Sequence, residues 1–195
     1  SINKVLAAHG DAIDVADRAE LNYLLGCILA DKRQHARALE SLQIALDLDP
    51  GRTAAAELAL EQAIILKDWE QTIAPLQRLG ELAEDPARRK AYFLKLGDIH
   101  LDHLGDPEAA AEAYRSAWEA DPGDAVAAER VLELDMRLGR WGHARELSAV
   151  LVERLEAELG DAVGADRATL RPYVRRLLQH GDILFRGAGD ADAAL

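Results

Sequence analysis

Two stretches of the chain decide its fold, because each repeats the pattern of the other: RQHARALESLQIALDLDPG, from Arg33 to Gly51, and GDPEAAAEAYRSAWEADPG, from Gly105 to Gly123. In both, an Ala is followed four positions later by a larger residue, then three positions later by another Ala, and then by Asp-Pro-Gly. Spacings of four and three place side chains on one face of an α-helix, and the proline prevents the helix from continuing. The matched residues are Ala38, Leu42, Ala45 and Pro50 in the first stretch and Ala110, Tyr114, Ala117 and Pro122 in the second.

A further helix is predicted upstream of each such pattern, with a glycine at its centre. LNYLLGCIL carries Gly26, YFLKLGDIHL carries Gly97, and LLQHGDILF carries Gly181. A glycine inside a helix costs about 1 kcal/mol relative to alanine, so it needs a compensating role. We expect a neighbouring helix to pack against the bare backbone at these positions.

This arrangement resembles the tetratricopeptide repeat, in which helix A has a small residue and helix B carries Ala, an aromatic residue, Ala and Pro. The resemblance implies an all-α, right-handed superhelical solenoid of antiparallel helix pairs. It predicts one array over 1–195, which we expect to be a fragment of a longer, bacterial-type array. The predicted parts are repeats at 19–52, 53–86, 90–123 and 125–160, a truncated repeat at 174–195, and a remnant of a preceding helix pair at 1–16.

The sequence pattern also recurs every two repeats. TAAAELALEQAIILKDW, ending at Trp69, aligns without gaps to AVAAERVLELDMRLGRW, ending at Trp141. LGDIHLDHLGDPEAA, from Leu96, recurs as HGDILFRGAGDADAA, from His180. Because Gly181 follows Gly97 by 84 positions, more than two 34-residue repeats supply, we predict an overlong helix B and a loop around 148–173.

Composition excludes several classes of partner and compartment. Ala and Leu supply 68 of the 195 residues, whereas Val, Ile and Thr supply 20, which favours helices over sheets. The net charge of −12 argues against binding of nucleic acid or of anionic membrane surfaces. No apolar run is long enough to span a bilayer. Cys27 is the single cysteine, so no intramolecular disulfide forms, and we expect a cytoplasmic location.

No residue pattern in the sequence indicates a catalytic reaction, so we expect neither enzymatic activity nor a cofactor. The sequence has no glycine-rich phosphate loop and no nucleophile elbow, and Cys27 is interpreted as an inert packing residue. His100 and His103, with Asp98 and Asp102 nearby, have a spacing that suits a metal. However, the matching positions of the last repeat hold Leu184 and Gly187, which favours surface histidines and no metal site.

The resemblance also implies a binding face, because helix A lines the concave side of the family's superhelix. Acidic residues recur there in pairs four positions apart, so that both carboxylates project from one side of a helix. The hypothesis is a non-catalytic scaffold that binds a basic protein or peptide partner. A solvated acidic surface is the simpler interpretation, and a structural spacer or self-association module of a larger signalling or enzyme protein is the alternative function. The predicted partner-binding residues are Tyr23, Glu57, Glu61, Asp98, Asp102, Glu129, Glu133 and Asp182.

Overall fold

The computed structural model describes residues 13–161 and six residues beyond them, namely Arg175, Leu178, His180, Gly181, Ile183 and Phe185. Helices make up all the regular secondary structure of these residues. The chain divides into two compact units, Ser1–Gly123 and Asp124–Leu195.

The first unit contains three consecutive helix pairs. Its elements are α1 (Val15–Asp31), α2 (His35–Leu48), α3 (Thr53–Leu66), α4 (Glu70–Leu82), α5 (Pro86–Ile99), a π-helix (His100–Leu104) and α6 (Pro107–Ala120). α1 packs on α2, α3 on α4, and α5 on α6, while α2 packs on α3 and α4 on α5. Because short turns join the packed neighbours, each pair is antiparallel. The expectation of an all-α solenoid of antiparallel helix pairs is therefore confirmed.

The second unit begins with a fourth pair, α7 (Ala125–Arg137) and α8 (Trp141–Asp161). α8 has 21 residues, half as long again as its counterparts in the first unit, and the predicted overlong helix B is found. It extends to Asp161, into the segment for which a loop was expected, and residues 162–174 lie outside the described part. The six described residues between 175 and 185 are helical.

The helix ends follow from the acidic and proline residues that the sequence places there. Asp85, Asp106 and Asp124 accept hydrogen bonds from Ala87 N–H (3.1 Å), Ala109 N–H (2.9 Å) and Val126 N–H (2.7 Å). Pro86 and Pro107 take the first helical positions, where a missing N–H costs nothing. Each of these caps satisfies a backbone donor that the helix itself leaves without an acceptor.

Two of the three predicted glycine contacts are present. A Cβ at Gly26 would lie 2.6 Å from Leu42 Cγ, and a Cβ at Gly97 would lie 2.4 Å from Cε1 of the fully buried Tyr114. Glycine is thus required where helix B presses on helix A. At Gly181 the helix that would supply the contact lies outside the described residues, so the expected close approach stays a prediction.

The π-helix marks a one-residue insertion. One more residue separates Gly97 from Ala110 than separates Gly26 from Ala38. The wider π turn takes up this extra residue, so that Tyr114 still meets Gly97 as Leu42 meets Gly26. The ungapped match between the segments from Leu96 and His180 shows that the last repeat carries the same insertion.

Candidate partner-binding face

The best-defined acidic pair lies on α3, at Glu57 and Glu61. Both side chains are exposed, whereas Ala55, Ala56 and Ala59 on the opposite side of the helix are fully buried. Within the part of the chain that the structure describes, neither carboxylate forms an ion pair or a side-chain hydrogen bond. This helix therefore holds two carboxylates one turn apart with no cation beside them.

The matching pair on α7, Glu129 and Glu133, is also exposed. The buried residues of α7 are those that the two-repeat alignment predicts: Ala127, Ala128, Val131 and Leu132 are buried, as are Ala55, Ala56, Ala59 and Leu60 on α3. The two helices thus turn the same face to their respective cores. Each acidic pair belongs to its own unit.

The acidic residues that follow Gly97 have different roles. Asp98 is half-buried and accepts a hydrogen bond of 2.6 Å from the Tyr114 hydroxyl, so its carboxylate helps to hold the ring that fills the glycine contact. Asp102 is exposed in the π-helix. Asp182, the predicted counterpart in the last repeat, lies outside the described residues.

Tyr23, at the other end of the first unit, lies beneath a cation. The Arg52 guanidinium carbon is 5.1 Å from the centre of the Tyr23 ring, and Arg52 also forms ion pairs with Glu20 and, at 3.1 Å, with Asp49. The hydrogen bond and charge of Glu20 raise the pKa of Arg52. A hydrogen bond with Cys27, one turn along α1, raises the pKa of Tyr23, and Arg52 opposes that shift. This part of the predicted face is a compensated charge cluster.

Of the two histidines whose spacing suits a metal, His103 has a packing role. The His103 ring stacks on the Trp69 ring with centroids 3.8 Å apart and an angle of 3° between the planes. His100 is half-buried. Among the described residues, no three His, Cys, Asp or Glu side chains cluster closely enough to hold a metal ion. Sequence reasoning missed this contact between Trp69 and His103, which lies in the π-helix.

Sequence reasoning missed two of the three polar residues that are buried in the second unit, Asp135 and Ser148. Asp135 and Ser148 are fully buried, and His180 is 3% exposed. The signal was available in the two-repeat alignment, which shows where polar residues replace apolar ones.

In the described part of the chain, no helix is both long enough and apolar enough to cross a membrane.

Comparison with known families identifies the repeat units. Residues 19–52 and 90–124 match the family model described as tetratricopeptide repeat, and these are the first and third predicted repeats. The chain is 28% identical over 142 residues to tetratricopeptide repeat protein 37 of Xenopus laevis. That match covers 71% of this chain but 9% of the Xenopus protein.

Two solved structures of similar architecture superpose on this chain with low TM-scores. A crystal structure of MamA is 23% identical, with a TM-score of 0.44, over 82% of this chain and 81% of that one. YrrB, described as a TPR protein with an unusual peptide-binding site, is 17% identical, with a TM-score of 0.43, over 97% of this chain and 93% of that one.

Proposed function

We propose that this chain, in which residues 19–52 and 90–124 match the tetratricopeptide repeat model, is a non-catalytic scaffold that binds a basic peptide or protein segment through the exposed side of its A helices. The observation that carries the proposal is the acidic pair Glu57 and Glu61, exposed on α3 and without a cation among the described residues. An exposed pair at the same helical position, Glu129 and Glu133, recurs in the second unit.

The energetics favour a cationic ligand at such a pair. Like charges four residues apart on a helix are destabilising by a few tenths of a kcal/mol, and a bound Lys or Arg removes that repulsion. The net charge of −12 adds a long-range attraction for basic segments, which raises association rates at low salt. Since exposed ion pairs contribute about 0–1 kcal/mol each, apolar contacts must supply the rest of the affinity.

The proposal is tested with a fluorescein-labelled peptide of alternating Arg and Leu, whose binding is followed by fluorescence anisotropy. We expect Glu57→Lys with Glu61→Lys to weaken binding at least tenfold at low salt, since attraction becomes repulsion. The matched control is Glu40→Lys with Asp47→Lys, which makes the same change of charge at two exposed positions of α2. We expect the control to weaken binding about threefold or less, through the net charge alone.

Equal losses in the two double variants, at unchanged helical circular dichroism, would show that the peptide responds to overall charge and not to this face. A salt titration adds a second criterion. The wild-type protein and the control should lose affinity steeply between low and physiological salt, whereas the E57K/E61K variant should show a shallower dependence.

Self-association is a second candidate, favoured by an exposed apolar position on α1. Ile28 follows Gly26 by two positions as Ile99 follows Gly97, yet Ile28 is 41% exposed and Ile99 is 4% exposed. Leu24, one turn earlier on α1, is 40% exposed, so the two side chains form an apolar patch that offers a surface to a further copy of the chain. Light scattering distinguishes the two functions: Ile28→Lys should abolish concentration-dependent dimerisation if the chain self-associates through α1.

A further inference from the structure

The core of the second unit contains three polar residues at positions that are apolar in the first. In the two-repeat alignment, Asp135 stands where the first unit has Ala63, Ser148 where it has Leu76, and His180 where it has Leu96. Ala63, Leu76 and Leu96 belong to one continuous buried apolar cluster. We call Asp135, Ser148 and His180 the polar core set.

The burial patterns support this correspondence. The inward-facing residues of α4 are Thr72, Pro75, Leu76 and Leu79, and those of α8 are Ala144, Leu147, Ser148 and Leu151. The offset between the two helices is constant, so Ser148 lies at the Leu76 position by structure as well as by sequence. His180 precedes Gly181 as Leu96 precedes Gly97, and both are buried.

The members of the polar core set are held by polar contacts. Ser148 Oγ lies 3.4 Å from His180 Nδ1, and both side chains are buried. The Arg140 guanidinium lies 3.9 Å from an Asp135 carboxylate oxygen, and the Arg140 N–H donates to the Asp135 carbonyl at 2.7 Å. A buried polar group that loses its partner weakens folding by about ten- to a hundredfold in the equilibrium constant.

Because part of the sequence is duplicated, a helix A can also pack on the wrong pair of helices. The segments LGDIHLDHLGDPEAA and HGDILFRGAGDADAA are similar enough that each helix A has two similar surfaces on which to dock, in its own chain or in another copy. We propose that the polar core set is a pairing code, which means that it determines which helix A packs on α7 and α8. That surface binds a helix with His before its glycine and excludes a helix with Leu at the same position. Conversely, His180 docked between Ala63 and Leu76 would be buried without a polar partner.

The code is tested by converting the set to its first-unit residues, singly and together, in the full chain. Trp69→Phe and Trp118→Phe leave Trp141 as the only tryptophan, so that urea unfolding followed by fluorescence reports on the second unit. We expect Asp135→Ala, Ser148→Leu and His180→Leu each to reduce its folding constant by about ten- to a hundredfold. The triple variant should recover to wild-type stability or above, because an apolar set needs no partners.

Loss of specificity is read from the oligomeric state of the triple variant. When the cores of both units are apolar, we expect helices to exchange between chains. Light scattering after refolding at high concentration should then detect dimers of the triple variant, whereas the wild-type chain should refold without dimers. The pairing code is overturned if the folding constant of the triple variant falls by the product of the three single reductions. It is also overturned if the triple variant refolds without forming dimers. Should His180→Leu fail to fold, His180→Asn keeps a hydrogen-bonding side chain and should lose less than His180→Ala.

The reciprocal exchange in the first unit provides the matched control. Leu96→His alone places an imidazole in an apolar site and should reduce the folding constant of that unit by at least tenfold. Adding Ala63→Asp and Leu76→Ser should recover part of the loss, because the polar partners are then present. Leu96→Met, which preserves volume and polarity, should be close to neutral. No recovery in the reciprocal triple variant would also contradict the code.

Discussion

The second unit of this chain repeats the sequence pattern of part of the first, from Thr53 to Ala110, but the two units differ in the residues that fill their cores. In the first unit, Gly97 meets the fully buried ring of Tyr114, whose hydroxyl is held by Asp98. In the second unit, the residue before the corresponding glycine is the buried His180, where the first unit has the buried Leu96. The same backbone plan therefore supports an aromatic, close-packed interface in one unit and a polar core in the other.

The largest expected effect is from Gly97→Ala, which breaks the close-packed interface. The new methyl group would lie 2.4 Å from Tyr114 Cε1, inside van der Waals contact, and neither helix can yield without disturbing the core. Overpacking of this kind costs about 1–3 kcal/mol, more than the gain of about 1 kcal/mol from alanine's helix propensity. Urea unfolding monitored by circular dichroism measures the free energy of unfolding.

Gly142→Ala is the paired control for that prediction, because Gly142 lies inside α8 and no atom of the described residues lies within 4 Å of its Cβ position. Only the helix propensity then changes, and we expect a neutral result or a gain of up to about 1 kcal/mol. If Gly142→Ala were as destabilising as Gly97→Ala, the loss at Gly97 would not report on its contact with Tyr114.

A smaller effect is expected from Tyr114→Phe, which keeps the ring and removes the hydroxyl. The hydrogen bond of 2.6 Å to Asp98 ends at a carboxylate, so its loss should cost about 1.5 kcal/mol in the free energy of unfolding. A double-mutant cycle with Asp98→Asn isolates the pair. Near-zero coupling between the two changes would mean that Asp98 does not position the ring.

Much of the first unit was predictable from the residues because steric and capping rules are local. The Gly26–Leu42 and Gly97–Tyr114 contacts follow from glycine and a larger residue recurring at related spacings, and Asp85 and Asp106 follow from cap preferences. Such features depend on a few neighbours within two adjacent helices. The pattern therefore predicted them together with the fold.

The candidate site was less predictable, since a residue's role depends on which side chains reach it from other helices. The position of Tyr23 and Asp98 on helix A predicts that they lie on the binding face, but not that Arg52 lies over the Tyr23 ring or that Tyr114 donates a hydrogen bond to Asp98. His103 has a spacing that suits a metal ligand, yet the π-helix brings it against Trp69. These contacts join residues 16 or more positions apart, a distance over which periodicity carries no information on partners.

The smallest effect concerns the position after the glycine, which is Cys27 in the first repeat and Asp98 in the third. The hydrogen bond and charge of Cys27 raise the pKa of Tyr23 above its usual 10, so the folded state holds this proton more tightly than the unfolded chain does. That contribution to stability is fully present below pH 10 and is lost as the pH rises through the pKa of folded Tyr23. Cys27→Ala should bring the Tyr23 titration, followed by ultraviolet difference absorbance against a Tyr23→Phe reference, closer to 10. It should also make the free energy of unfolding less dependent on pH above 10. An unchanged titration would show that Cys27 does not act on Tyr23, and that the position after the glycine has an electrostatic role in the third repeat alone.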